Sequence, residues 1–116
     1  GGIFPIVQGV RVLALQYQVA ENNTYRRIEA LIKLGVIPPR LGTELMESFS
    51  ILQWFRLTHH VHQQEQGQVG ASAVLDNAVD LDSLDRLEKD LLRQSFQVVK
   101  DFKKHLSLRY RLGGGI

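Results

Sequence analysis

Residues 39 to 66 read as one unbroken helix, and its pattern limits how the rest of the chain can fold. At about 100° per residue, Leu41, Leu45, Ser48, Leu52 and Phe55 fall on one narrow face, and His59 continues that line. Met46, Trp54, Leu57 and Val61 gather on roughly the opposite side. A surface helix carries one apolar stripe, so a helix that is apolar on two sides is packed on two sides. The segment is therefore the central rod of a bundle, or a rod whose second face meets something outside this chain. Met46, Trp54, Leu57 and Val61 are accordingly the candidate interface residues, and a homodimer is one way of covering them.

The remaining segments are patterned to surround such a rod. Residues 3 to 21 predict a first helix, with Pro5 in its first turn, where a missing N–H is harmless. Ile6, Val10, Leu13, Ala14 and Tyr17 share one face, and Val12, Leu15 and Val19 share another. Gly9 allows a neighbour to approach closely. Arg11 is the single charge in this apolar stretch. It reads either as an edge side chain reaching water or as a group turned toward a ligand.

Asn23 and Thr24 are N-cap candidates for a short second helix, with Tyr25, Ile28, Leu31 and Ile32 inward. Gly35 suits the left-handed position that closes it, and Ile37-Pro38-Pro39 holds the chain extended before the long helix. Residues 67–80, rich in Gly, Ala, Ser and Val, show neither helical nor strand period and read as a long loop. Asp85 and Glu88 form a capping-box pattern. The helix they open has Leu84, Leu87, Leu91, Leu92, Phe96, Val99, Phe102 and Leu106 on its apolar face, and Tyr110 extends it. No segment alternates with period two. The expected fold is all-α, an antiparallel bundle of four main helices forming one domain over residues 1–112, with a flexible tail at 113–116.

Composition narrows the function classes. The 116 residues suit one core, and the formal charge of +2 is unevenly placed. Residues 61–85 hold five acids and no base, whereas residues 86–116 hold eight bases and three acids. The late bases alternate with acids around the helix, which is a solvated face rather than the one-sided basic stripe that binds nucleic acid. With no cysteine, disulfides, thiol catalysis and cysteine metal sites are excluded, and a reducing cytoplasm fits. No apolar run approaches the about 20 residues of a membrane span. The chain opens without Met or a basic leader region and reads as part of a larger protein.

Chemistry is sparse. In Arg56-Leu-Thr-His59-His60-Val-His62, the histidines at 59 and 62 share a face but have no marked third metal ligand. His59 lies on the core line and reads better as a partly buried, hydrogen-bonded imidazole. Arg56 and His62 fit the loose Arg-x5-His motif of HEPN-type helical ribonucleases, although about 120° separates them on a straight helix. The glycines at 113–115 lack the following helix and Lys-Ser/Thr of a phosphate loop. Asp80 and Asp82 precede a helix, where acids are expected in any case.

Four stretches in order carry a family resemblance: Gly2-Ile-Phe-Pro-Ile-Val with Val10-Arg-Val-Leu-Ala-Leu; Asn23-Thr-Tyr-Arg-Arg-Ile; Ser48-Phe with Phe55-Arg-Leu-Thr-His; and Leu84 with Leu87-Glu-Lys-Asp-Leu-Leu-Arg and Phe96. Together they resemble the putative nucleotidyltransferase substrate-binding domain, the C-terminal part of domain of unknown function 294. The chain departs from that pattern at Lys89, where Arg is usual, and at Arg26, where an acid is common.

The resemblance implies a helical domain that follows a nucleotidyltransferase domain, often behind cyclic-nucleotide-binding and CBS regulatory domains, in bacterial signalling proteins. The arrangement is similar to PII uridylyltransferase and kanamycin nucleotidyltransferase, where a helical bundle closes over the transferase cleft. It implies a non-catalytic half, because Gly-Ser…Asp-x-Asp is absent here. Mg²⁺ and a nucleoside triphosphate belong to the adjoining transferase, and no cofactor is expected in this chain. Arg11, Thr24, Arg27, Arg56 and His59 match the family pattern and are the implied substrate-binding residues. A stand-alone interaction or dimerisation module is the alternative, with the HEPN-like ribonuclease a more distant one.

Overall fold

The computed structural model describes residues 2–65 and 83–112, with side chains over 2–59 and 83–110. Four helices account for most of them: α1 (Ile3–Gln16), α2 (Thr24–Lys33), α3 (Pro39–Glu65) and α4 (Arg86–Leu112). No strand occurs among the described residues. The all-α bundle expected from periodicity is the fold observed. The loop expected at 67–80 and the tail at 113–116 lie outside the described residues.

Local chemistry sets most helix ends. Asn23 has extended backbone angles, and its side-chain oxygen accepts the Arg26 N–H at 3.1 Å, so it is the N-cap of α2. Pro39 occupies the first position of α3, and the Pro38 carbonyl accepts the Gly42 N–H at 2.9 Å. At α4 the capping box closes both ways. The Glu88 N–H donates to Asp85 Oδ1 at 2.8 Å, and the Asp85 N–H donates to Glu88 Oε1 at 3.0 Å.

The first helix is shorter than its periodicity predicts, ending at Gln16 rather than near residue 21. Its last turn closes in a Schellman motif. The Val19 N–H reaches back to the Ala14 carbonyl at 2.8 Å and the Gln18 N–H to Leu15 at 3.4 Å, with Gln18 at φ 56°. The end of α2 repeats the motif with Gly35 at φ 75° and Val36 bonded to the Leu31 carbonyl at 2.9 Å. Glycine adopts that conformation freely, whereas an L side chain there is strained by roughly 1–2 kcal/mol. Replacing Gln18 with Gly is therefore expected to stabilise the protein by about 1 kcal/mol, less the extra freedom glycine gives the unfolded chain. Urea unfolding measures it, and an unchanged or lower midpoint would show that Gln18 is unstrained.

Contacts between helices set their directions. Gly2 lies against Leu52 and Phe96, and Gly9 against Phe102 and Leu106, so α1 and α4 run the same way. The His105 Nε2–H donates to the Val36 carbonyl at 3.1 Å, placing the later part of α4 beside the start of α3. Phe96 is level with Leu52, so α3 and α4 are antiparallel. Tyr25 meets Ser50 and Gln53, while Gly42 meets Ile28 and Ile32, so α2 also runs against α3. The central rod is thus the antiparallel partner of the other three helices. Residues 17–23 return the chain along the bundle between α1 and α2.

The core is built from Ile6, Leu13, Ile28, Leu45, Leu52, Phe55 and Phe102, all fully buried. The predicted inner face of α1 is buried, and Tyr17 packs against its edge. Its second face is not packed as one stripe. Leu15 is 67% exposed, and Val19 reaches the core only because the helix has already turned. On α4 the buried line is Leu92, Ser95, Val99 and Phe102. Leu87 and Leu91, expected on that face, are exposed because they lie to one side of the line.

Candidate functional site

The candidate site residues and the buried polar groups fall in three regions. The first is the later part of α3, which carries Arg56 and His59. His59 stacks on Phe55 with ring centroids 5.9 Å apart and planes 16° apart. Its Nε2 is buried and has no hydrogen-bond partner among the described residues, where a hydrogen-bonded imidazole was expected from its place on the core line. Arg56 is half-buried. The Tyr25 hydroxyl lies 2.7 Å from Ser50 Oγ and donates to Gln53 Oε1 at 3.2 Å, bringing the start of α2 within a turn of Arg56. Thr24, the first residue of α2, therefore belongs to the same end of the bundle. Arg27 follows on α2, but its Nε donates to the Glu21 carbonyl at 2.7 Å and tethers the connection between α1 and α2.

Arg11 stands apart. Gly2 is level with Leu52, and α1 runs against α3, so Arg11 lies about 20 Å along the bundle from Arg56 at 1.5 Å per residue. It is exposed. The three arginines therefore do not line one concave face. The His62 side chain lies outside the described residues, so the Arg56–His62 pair has no geometry here. No group of three or more metal-ligating side chains occurs among the described residues.

The second region is where α1 and α4 end. Arg109 Nη2 donates to the Tyr17 hydroxyl, and its guanidinium carbon sits 4.9 Å from the centroid of the Tyr17 ring. Arg109 Nε and the Tyr110 hydroxyl are buried without partners among the described residues. Burial raises the Tyr110 pKa above its ordinary value; the Arg109 charge opposes that shift and Tyr17 adds to it. Arg109 thus ties the last turns of α4 to the end of α1.

The third region is a cleft of about 210 Å³ between α3 and α4. Glu44, Glu47, Ser48 and Ile51 form one wall, and Leu91, Gln94, Ser95 and Val98 the other. Sequence reasoning did not find it, although Ser48 and Ser95 carried a signal. Each is a small hydroxyl residue on an otherwise apolar line, and both are buried.

The proposed interface divides. Met46 packs against the core. Trp54 is 52% exposed and Leu57 69% exposed, and the Val61 side chain lies outside the described residues. The surplus faces of α1 and α3 therefore do not close on each other as core. No helix among the described residues is long and apolar enough to cross a membrane.

No curated protein and no solved structure matches the chain. The family model described as putative nucleotidyltransferase substrate binding domain matches residues 1–110. That match takes in all four helix starts and nearly the whole bundle, and the chain belongs to this family of nucleotidyltransferase substrate-binding domains.

Proposed function

We propose that this domain is the non-catalytic helical part of a bacterial signalling nucleotidyltransferase, holding the acceptor substrate beside the active site of a neighbouring transferase domain. The observation that carries the reading is the family match over residues 1–110. Mg²⁺ and the nucleoside triphosphate are held by the neighbour, with CBS and cyclic-nucleotide-binding domains as regulators and the cytoplasm as the setting. Within the helical domain, Arg56, His59 and Thr24 are the acceptor-facing groups at one end of the bundle. Arg56 suits that task because its planar fork bonds a carboxylate or phosphate in two places. Arg27 orders the adjoining connection through the Glu21 carbonyl, and Arg11 serves a separate surface.

The test uses the intact transferase. Arg56→Gln is expected to raise the acceptor KM about tenfold, the scale of one lost charge-assisted hydrogen bond. The nucleotide KM is expected to stay unchanged. The isolated chain, given Mg²⁺ with ATP, CTP, GTP or UTP, is expected to transfer nothing. Turnover by the isolated chain that vanishes on substituting one of its own residues would overturn the reading. The exposure of Trp54 and Leu57 favours a second reading, a module that pairs with another copy of itself. A dimer of the isolated chain in solution would support it.

A further inference from the structure

We propose that the outward face of α4 is a docking surface for double-stranded nucleic acid, held through its phosphates without reading of sequence. At about 100° per residue, Arg86, Lys89, Arg93, Lys100 and Lys104 fall within about 60° of arc, with Lys103 about 40° beyond. All six are exposed. The row runs from residue 86 to residue 104, about 27 Å along the helix axis. The late bases therefore do not alternate with acids around the helix, as their order along the chain suggested. Asp90 and Asp101 lie to one side, about 70–90° round from the middle of the row. Asp90 pairs with Arg93 at 2.8 Å, and Asp101 accepts from Gln97 at 3.1 Å. Asp85 and Glu88 are engaged in their reciprocal cap. The other five bases form no ion pair among the described residues.

Folding does not account for this row. Bases at i, i+3 and i, i+4, such as Lys89 with Arg93 and Lys100 with Lys104, repel one another and weaken a helix. Arg86 and Lys89 also stand in the first turn, where the helix dipole disfavours cations. Residues 86–116 hold eight bases and three acids, a net +5 in a chain of +2, which leaves −3 for the rest. Positive charge is thus gathered on one exposed helix face, and a polyanion is the partner that relieves it.

The shape of the row selects the polyanion. A duplex is a stiff rod with closely spaced phosphates, so it stays alongside a narrow line of bases over this length. Single strands are held by aromatic side chains that stack on the bases. No aromatic is free for that here, since Phe96, the nearest, packs against the core. An anionic membrane is gripped by apolar side chains set beside the bases, and no exposed large apolar residue lies in the row. A flat surface would also meet Asp90 and Asp101, whereas a rod touches the ridge alone. The inference stands independently of the transferase reading.

The experiment measures binding of the chain to two unrelated DNA duplexes of about 20 base pairs, between about 50 and 200 mM NaCl. A single strand, vesicles of phosphatidylserine in phosphatidylcholine, and polyglutamate are the comparisons. Both duplexes are expected to bind equally, with a slope of about −4 to −5 in log affinity against log salt, the value for five or six phosphates. Lys89→Gln with Lys100→Gln and Lys104→Gln is expected to reduce that slope by about 3 and to weaken binding at least about tenfold. The same variant is expected to melt at or above the wild-type temperature in low salt, because like-charge pairs are gone. Arg26→Gln with Lys33→Gln and Arg40→Gln removes equal charge from exposed positions on α2 and α3, and is expected to leave the slope unchanged. No binding at low salt, or equal weakening by that control, would overturn the proposal. So would tighter binding to the single strand, the vesicles or polyglutamate, or a row variant that melts lower than wild type.

Discussion

Phe55→Ala is expected to lower the stability of the domain by about 3–5 kcal/mol, the range for truncating a large buried aromatic. Phe55 is fully buried on the core line of α3. Its ring carries two neighbours: Trp54 meets it edge-on with centroids 5.0 Å apart, and His59 stacks on it. Truncation leaves a void beneath both rings and loosens the turn that presents Arg56. Against a total of about 5–15 kcal/mol for a typical domain, such a loss leaves little margin. Urea unfolding at 25 °C gives the difference directly. A loss below about 1.5 kcal/mol would mean that the core collapses around the vacancy, the variable that sets the spread among such substitutions.

The second large effect is expected at Trp54, and it separates association from folding. Because Trp54 is about half exposed, Trp54→Asp is expected to leave the unfolding midpoint within the shift of an ordinary surface change, about 0.5 kcal/mol. On the proposed function, the exposed side of α3 that carries Trp54 and Leu57 is where a transferase domain would pack, and on the second reading it is where another copy would. Aromatic anchors dominate interface energies, and losing one costs about 2 kcal/mol or more, roughly a thirtyfold weaker complex. Calorimetry of the chain with the separately produced transferase domain measures that loss. The solution mass of both variants shows whether the same face instead joins two copies. An unfolded Trp54→Asp protein would place Trp54 in the core and remove the interface. Unchanged affinity and unchanged mass together would leave Trp54 as an ordinary exposed aromatic.

Much of the bundle was legible in the chain because its signals are local. The Asp85–Glu88 reciprocal cap, the Asn23 cap and the prolines before α3 act over a few residues of backbone. Their geometry follows from residue type alone. The core line of α3 was equally readable, since Leu45, Ser48, Leu52 and Phe55 recur at helical spacing and all are buried. Family membership was legible from four ordered stretches. A family model covering residues 1–110 bears that reading out.

Only the tertiary structure decided the rest. Apolar periodicity ran on through Val19 because no glycine marked the end of α1; Gln18 takes the left-handed position, and nothing in its side chain announces it. Leu87 and Leu91 look inward on a helical wheel, but a wheel carries no information about which neighbour lies where. The antiparallel approach of α3 selects Leu92, Ser95 and Val99 and leaves the two leucines at the rim. Arg11 and Arg56 were expected at one substrate-binding face, yet the opposed directions of α1 and α3 carry them apart. The cleft holding Ser95 exists only where two helices distant in sequence meet. A chain's own periodicity determines which residues can be buried, whereas packing against particular neighbours determines which of them are.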